Sequence, residues 1–199
     1  MLTRCGVLLV AVAAAAPAGA ADFAIDPTHS SVGFKVDHLV VSKVRGSFGR
    51  FEGTIHLDPD DVAKSTVEVT IDAGSIDTAN DKRDQHLRSQ DFLDAENHPE
   101  ITFVSTSVRQ SGAGYVAVGD LTIRGTTRQV ELPFVVKGPI KDPWGNERIG
   151  VQVEPIKIDR RDFGLTWSQA LEAGGLVVGD EVEIEIEVEA VGSAGPSDA

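Results

Sequence analysis

Cysteine is nearly missing from this chain. The single one, Cys5, sits in the first apolar stretch, so the remainder has neither thiol chemistry nor bridges available to it. Basic charge is scarce too. Eighteen Lys and Arg stand against 31 Asp and Glu, a formal net charge of −13, which disfavours nucleic acid and anionic lipid surfaces as partners and suits solubility. Beyond the start, no apolar run approaches the roughly 18 residues of a spanning helix. No serine occupies a G-x-S-x-G elbow, and no glycine loop has phosphate-cradling spacing.

The start is a different material. Arg4 is its only charge, apolar and small residues run from Gly6 to Ala16, and Ala18-Gly19-Ala20 forms a small-x-small cleavage site. Residues 1–20 are therefore expected to be a cleaved export signal, with Ala21 the mature start and the periplasm the destination. Cys5 lies at the front of the apolar run, which does not suit a lipoprotein anchor.

Past the signal, eight stretches alternate apolar and polar residues: Val32–Val36, Val44–Leu57, Val67–Ile71, Ile101–Val108, Tyr115–Arg124, Val130–Val136, Glu147–Ile158 and Val182–Val188. Period-two alternation puts one set in a core and the other in water. Pro133 suggests an edge or a bulge, and Pro155 a bend. In the last stretch Glu181, Glu183, Glu185, Glu187 and Glu189 share one face, an arrangement that resists edge-to-edge association.

Between Thr78 and His98 the period changes to that of one helix or two short ones. Thr78 and Asp81 have capping-box spacing, Asp84 and Arg88 stand four apart, and Leu87, Phe92 and Leu93 are the expected buried anchors. Residues 160–179 form a long loop and 192–199 a polar tail. One all-β domain over 21–191 is the expectation, an antiparallel barrel ahead of a two-sheet sandwich.

Catalytic and metal-binding patterns are weak. His29, His38, His56, His86 and His98 are scattered, with no pair at helical i, i+4 spacing. No catalytic residue, metal ligand or cofactor motif is assigned. What remains is an apolar interior, and a barrel of eight strands either fills it with side chains or leaves room for one small ligand. A hydrocarbon tail gains about 0.8 kcal/mol per buried CH₂, so it can bind without any specialised motif. The pattern leaves open a binding module, an enzyme acting on an apolar substrate through a buried polar residue such as His29, and a packed-barrel interaction protein.

Longer stretches carry a resemblance. IDPTHSSVGFKVDHLVVSKVRGSFGRFEGTIHLDP, STVEVTIDAGSIDTANDKRDQHLRSQDFLDAENHPEITF, GDLTIRGTTRQVELPF, DPWG and RRDFGLTWSQALEAGGLVVGDEVEIEIEVE stand in the order of the YceI-like family of exported bacterial proteins, which the chain resembles over nearly its whole mature length. The resemblance implies an all-β fold: an extended, antiparallel, eight-stranded lipocalin-like barrel with one helical segment near the mouth. It implies an apolar pocket for a long isoprenoid or similar amphiphile, such as a prenyl phosphate or isoprenoid quinone, bound rather than converted, in transport, storage or stress response. Family members can be dimers, so a homodimer is an expected state. Val40-Val41, where the family often has Gly-Val, and Gln169, where a small polar residue is usual, are small departures.

On alternation, the inward residues are Val32, Phe34, Val36, Phe51, Ile55, Val67, Val69, Ile71, Phe103, Val116, Val118, Leu132 and Phe134, with Leu87, Phe92, Leu93 and Trp167 at the mouth. A one-residue slip would reverse any strand's set. Arg45, Arg83, His86 and Arg88 are the candidates for a polar headgroup, with pairing to Asp81, Asp84 or Asp91 as their alternative use.

Overall fold

A computed structural model describes residues 20–170 and 174–192. The signal segment 1–19, the tail 193–199 and part of the 160–179 loop lie outside the described residues.

Twelve strands make one sheet. They are β1 (Ala21–Ile25), β2 (Ser31–His38), β3 (Ser42–Phe48), β4 (Phe51–Leu57), β5 (Thr66–Asp72), β6 (Ile76–Asp77), β7 (Glu100–Ser111), β8 (Gly114–Ile123), β9 (Thr126–Lys141), β10 (Glu147–Val153), β11 (Ile156–Asp159) and β12 (Val178–Gly192). Several are halves of one longer stave. β1 and β2 both run antiparallel to β12, with Ile25 opposite Ala190 and Phe34 opposite Ile184. β3 and β4 flank β2 and β1 in turn, β6 and β5 flank β3 and β4, and β11 and β10 lie along the other side of β12. The result is a closed, antiparallel barrel of eight staves in meander order. Closure removes the free edge that a sandwich would keep.

The stave breaks have local causes. Asp26 accepts from Thr28 N and turns Pro27–His29 between β1 and β2. The turn Ala73–Ser75 bonds across to the β3–β4 break, where Ser75 O accepts from Gly49 N and Ser75 Oγ from Arg50 N. β10 and β11 part at Pro155, as the sequence suggested. Pro133, by contrast, is on no edge. It lies inside β9, opposite Val116, and its carbonyl accepts from Glu154 N where β10 ends. β12 is likewise an inner stave. Its glutamates meet cations on the neighbouring staves: Lys35 bonds Glu183 and Glu185, Lys157 bonds Glu181, and Arg148 bonds Glu189. Their role is cross-strand pairing rather than edge repulsion.

One α-helix, α1 (Asp81–Arg88), crosses the barrel end where β6 finishes and β7 begins. Its cap is Asn80, whose side chain accepts from Arg83 N. Thr78 is not the cap: its N–H and Oγ1 donate to Asp84, which is 4% exposed beneath the helix. Asp84 therefore does not pair with Arg88. The guanidinium of Arg88 instead donates to Gly74 O and Ile76 O, tying α1 to the end of the β5–β6 stave.

Candidate functional site

Inward side chains from every stave leave a cavity of about 270 Å³ along the barrel axis, just below the ~300–1,000 Å³ typical of ligand pockets. Its walls are aliphatic and aromatic almost throughout. Ser65, Thr66 and Arg160 are the charged or hydroxyl-bearing exceptions beside Tyr115. Aromatic rings lie over glycines on the neighbouring strand. A Cβ at Gly119 would come within 2.5 Å of Phe103 Cζ, so that position must stay bare for the ring to lie flat.

The two ends are closed differently. At the end where β1 starts and β12 finishes, Phe23, Ile149 and Ala190 are fully packed against one another's neighbours. At the other end Leu87, Phe92, Leu93, Phe163 and Leu165 roof the cavity from α1, the turns after it and the segment after β11. Trp167 stacks on this roof from outside, its ring 5.2 Å from that of Phe92 and 4.9 Å from that of His86.

Arg160 fastens the roof. It is 4% exposed, and its guanidinium donates to Leu165 O and Trp167 O on one side and to Gly179 O, Val178 O and Asp180 on the other. Burial pushes its pKa down, while Asp180 and Asp159 oppose the shift. Every donor direction is used, so the buried cation serves the wall rather than a ligand.

Fourteen of the seventeen expected apolar residues line the cavity: Val32, Phe34, Val36, Phe51, Ile55, Val67, Val69, Ile71, Leu87, Phe92, Leu93, Phe103, Leu132 and Phe134. Three do not. Val116 and Val118 face the other way, because Tyr115, Ala117, Leu121 and Ile123 are the inward set of β8. Four apolar residues in a row, Tyr115–Val118, hide the parity; Asp120 and Thr122, further along, reveal it. Trp167 packs on the roof and not on the cavity. Ile149, Val151, Ile158, Ile184 and Ile186 also line the interior, and the alternation of their strands could have supplied them.

The headgroup candidates are not gathered at one place. Arg83 donates to Thr78 Oγ1 and Thr78 O, and Arg88 to the β5–β6 turn, so both hold the helix down. His86 pairs with Asp91 at 2.9 Å and lies edge-on between Phe92 and Trp167. Arg45 is exposed on the outer face of β3, opposite Lys35. His29 is also outside the barrel, its side chain 60% exposed and paired with Asp26, so it is not the buried polar group that an internal enzyme site would need. Asp26, His29 and Glu189 come close enough to hold a cation, yet Arg148 already donates to Asp26, Glu189 and Asp142 there. Hydrogen bonds from Thr28, His29 and Arg148 hold the carboxyl of Asp26, and those from Arg148 and Asn146 hold that of Asp142, well below the usual carboxylate range.

Fold and interior together define a class: closed antiparallel barrels with an apolar axial cavity. Residues 23–190 match the YceI-like domain, and the chain belongs to that family. It is 40% identical over 171 residues to a UPF0312 protein of Pectobacterium atrosepticum, covering 83% of this chain and 88% of that one. The crystal structure of the Campylobacter jejuni YCEI protein superposes with a TM-score of 0.67 at 32% identity, covering 85% of this chain and 96% of the other. A domain of Saccharophagus degradans, described as polyisoprenoid-binding and implicated in plant cell wall breakdown, has the same fold at 17% identity and a TM-score of 0.61, covering 86% and 98%. Among the described residues no helix is long and apolar enough to cross a membrane.

Proposed function

We propose that this protein binds a long isoprenoid or similar amphiphilic lipid, such as a prenyl phosphate or isoprenoid quinone, with the tail inside the barrel. The single observation that carries this is the axial cavity, walled by apolar side chains from all eight staves. Each isoprene carbon that enters leaves water for hydrocarbon contact, so affinity grows with tail length. Among the described residues the cavity lining offers a polar head no cluster of free donors, so the head belongs outside the barrel. The polyisoprenoid-binding domain of the same fold agrees with this reading. Among the described residues the cavity lining holds no nucleophile–base pair, which supports binding over conversion. Periplasmic export through residues 1–20, a part in transport, storage or stress response, and a homodimer belong to the same proposal.

Titration with prenyl alcohols of increasing length, read by displacement of an apolar fluorescent dye, tests it. Affinity is expected to rise with length and then level off. Ala117→Phe, which puts a ring into the cavity, should weaken binding by about tenfold or more while the protein stays folded. Failure of every prenyl alcohol and quinone to displace the dye would refute the reading.

A further inference from the structure

The hairpin joining β2 to β3 is built against two ordinary preferences. Leu39 and Val40 have φ of 54° and 64°, the left-handed pair that a type I′ turn needs. Asn-Gly is the usual occupant, and a β-branched residue there is strained. The same tip is exposed: Val40 keeps 71% and Val41 83% of its surface in water, beside a partly exposed Leu39. Strain and exposed apolar surface at one spot point to a contact made elsewhere.

The size of the tip chooses the partner. Three aliphatic side chains offer roughly 300 Å², well short of the about 800 Å² that each side of a stable protein interface buries. A bilayer demands no matching surface and buries an inserted side chain from all directions. At the neck, Lys43 and Asp37 pair at 2.8 Å, so the tip's own base has no net charge from them to oppose entry into an uncharged membrane. The position fits as well. Leu39 N donates to Val177 O at 3.0 Å, His38 lies opposite Val178, and Val36 opposite Val182. Val36, Val178 and Val182 line the cavity, so the strands that carry the tip bear cavity-lining residues at the roofed end.

The geometry points to the Leu39–Val41 tip as a bilayer-docking wedge that seats the roofed end of the barrel on a lipid surface during loading or unloading. This rests on the lipid-binding reading for its purpose, but its test does not. Full-length mature protein is floated with phosphatidylcholine vesicles, alongside Leu39→Asn/Val40→Gly, which installs the favoured turn and removes apolar surface. The wild type is expected to float independently of salt. The double variant should float about tenfold less yet melt at a higher temperature and displace dye with prenyl alcohol as the wild type does. Trp144→Ala, at the exposed turn of the opposite barrel end, should float like the wild type.

Absence of wild-type flotation, equal flotation of the double variant, or loss with Trp144→Ala would each overturn the wedge. So would concentration-dependent dimerisation that the double variant abolishes in place of flotation. Dye displacement that fails while flotation persists would reject the lipid-cavity reading and leave the wedge standing.

Discussion

At the scale of single residues, the polar groups under the roof are spoken for, and this separates structural from ligand-facing roles. Asp84 accepts from both the N–H and the hydroxyl of Thr78 in a buried position. Asp84→Ala strands those donors and should cost about 1–3 kcal/mol in denaturant unfolding. Acid acts on another set. Asp26, Asp72 and Asp142 sit below their ordinary 3.8, and Asp159, bonded by Arg161, falls to about 2. A depressed carboxyl contributes stability above its unfolded value, and that contribution is lost as pH falls through the folded one. Stability should therefore hold above about pH 4 and drop steeply towards pH 2. Arg148→Gln removes the donor shared by Asp26 and Asp142, so circular dichroism should place its acid unfolding midpoint at higher pH than that of the wild type. These assignments were not legible in the chain. Spacing offered Asp84 to Arg88 and Thr78 to the helix cap, whereas Asp84 is taken by Thr78 itself and Arg88 by the β5–β6 turn, which no local pattern reports.

Elements were more legible than partners. Alternation located all eight staves, because one face of each meets an apolar interior and the other meets water. It failed in β8, where apolar residues on both parities at Tyr115–Val118 left Val116 and Val118 assigned to the wrong face. It read β3 and β4 together as one stretch, Val44–Leu57, but could not show that β1 and β2 are halves of a single stave, since that break depends on bonds made by Asp26. The roof depends on a similar long-range device. Arg160 joins the carbonyls of Leu165 and Trp167 to those of Val178 and Gly179. Arg160→Met keeps the apolar bulk and deletes those bonds. Hydrogen exchange at residues 165–168 should then quicken about tenfold or more, with the β7–β8 core amides unchanged. Equal protection throughout would show that packing of Phe163 and Leu165 alone holds the roof.

For the whole molecule, the decisive property is that a closed barrel of this size is hollow along its axis. The residues that line it were largely visible as inward apolar positions, yet hollowness itself was not, since a filled barrel has the same alternation. It depends on how far the inward side chains reach, and that is set by packing such as the ring of Phe103 lying flat over Gly119 on the neighbouring strand. The formal charge of −13 over the full sequence opposes self-association of a molecule whose cavity wall is apolar. Native mass spectrometry of the protein purified without detergent, followed by organic extraction of the same sample, tests this most directly. An adduct that extracts into organic solvent as a chain of isoprene units is the expected result. A bare mass, in protein that also takes up no prenyl lipid or quinone when they are added, would contradict it.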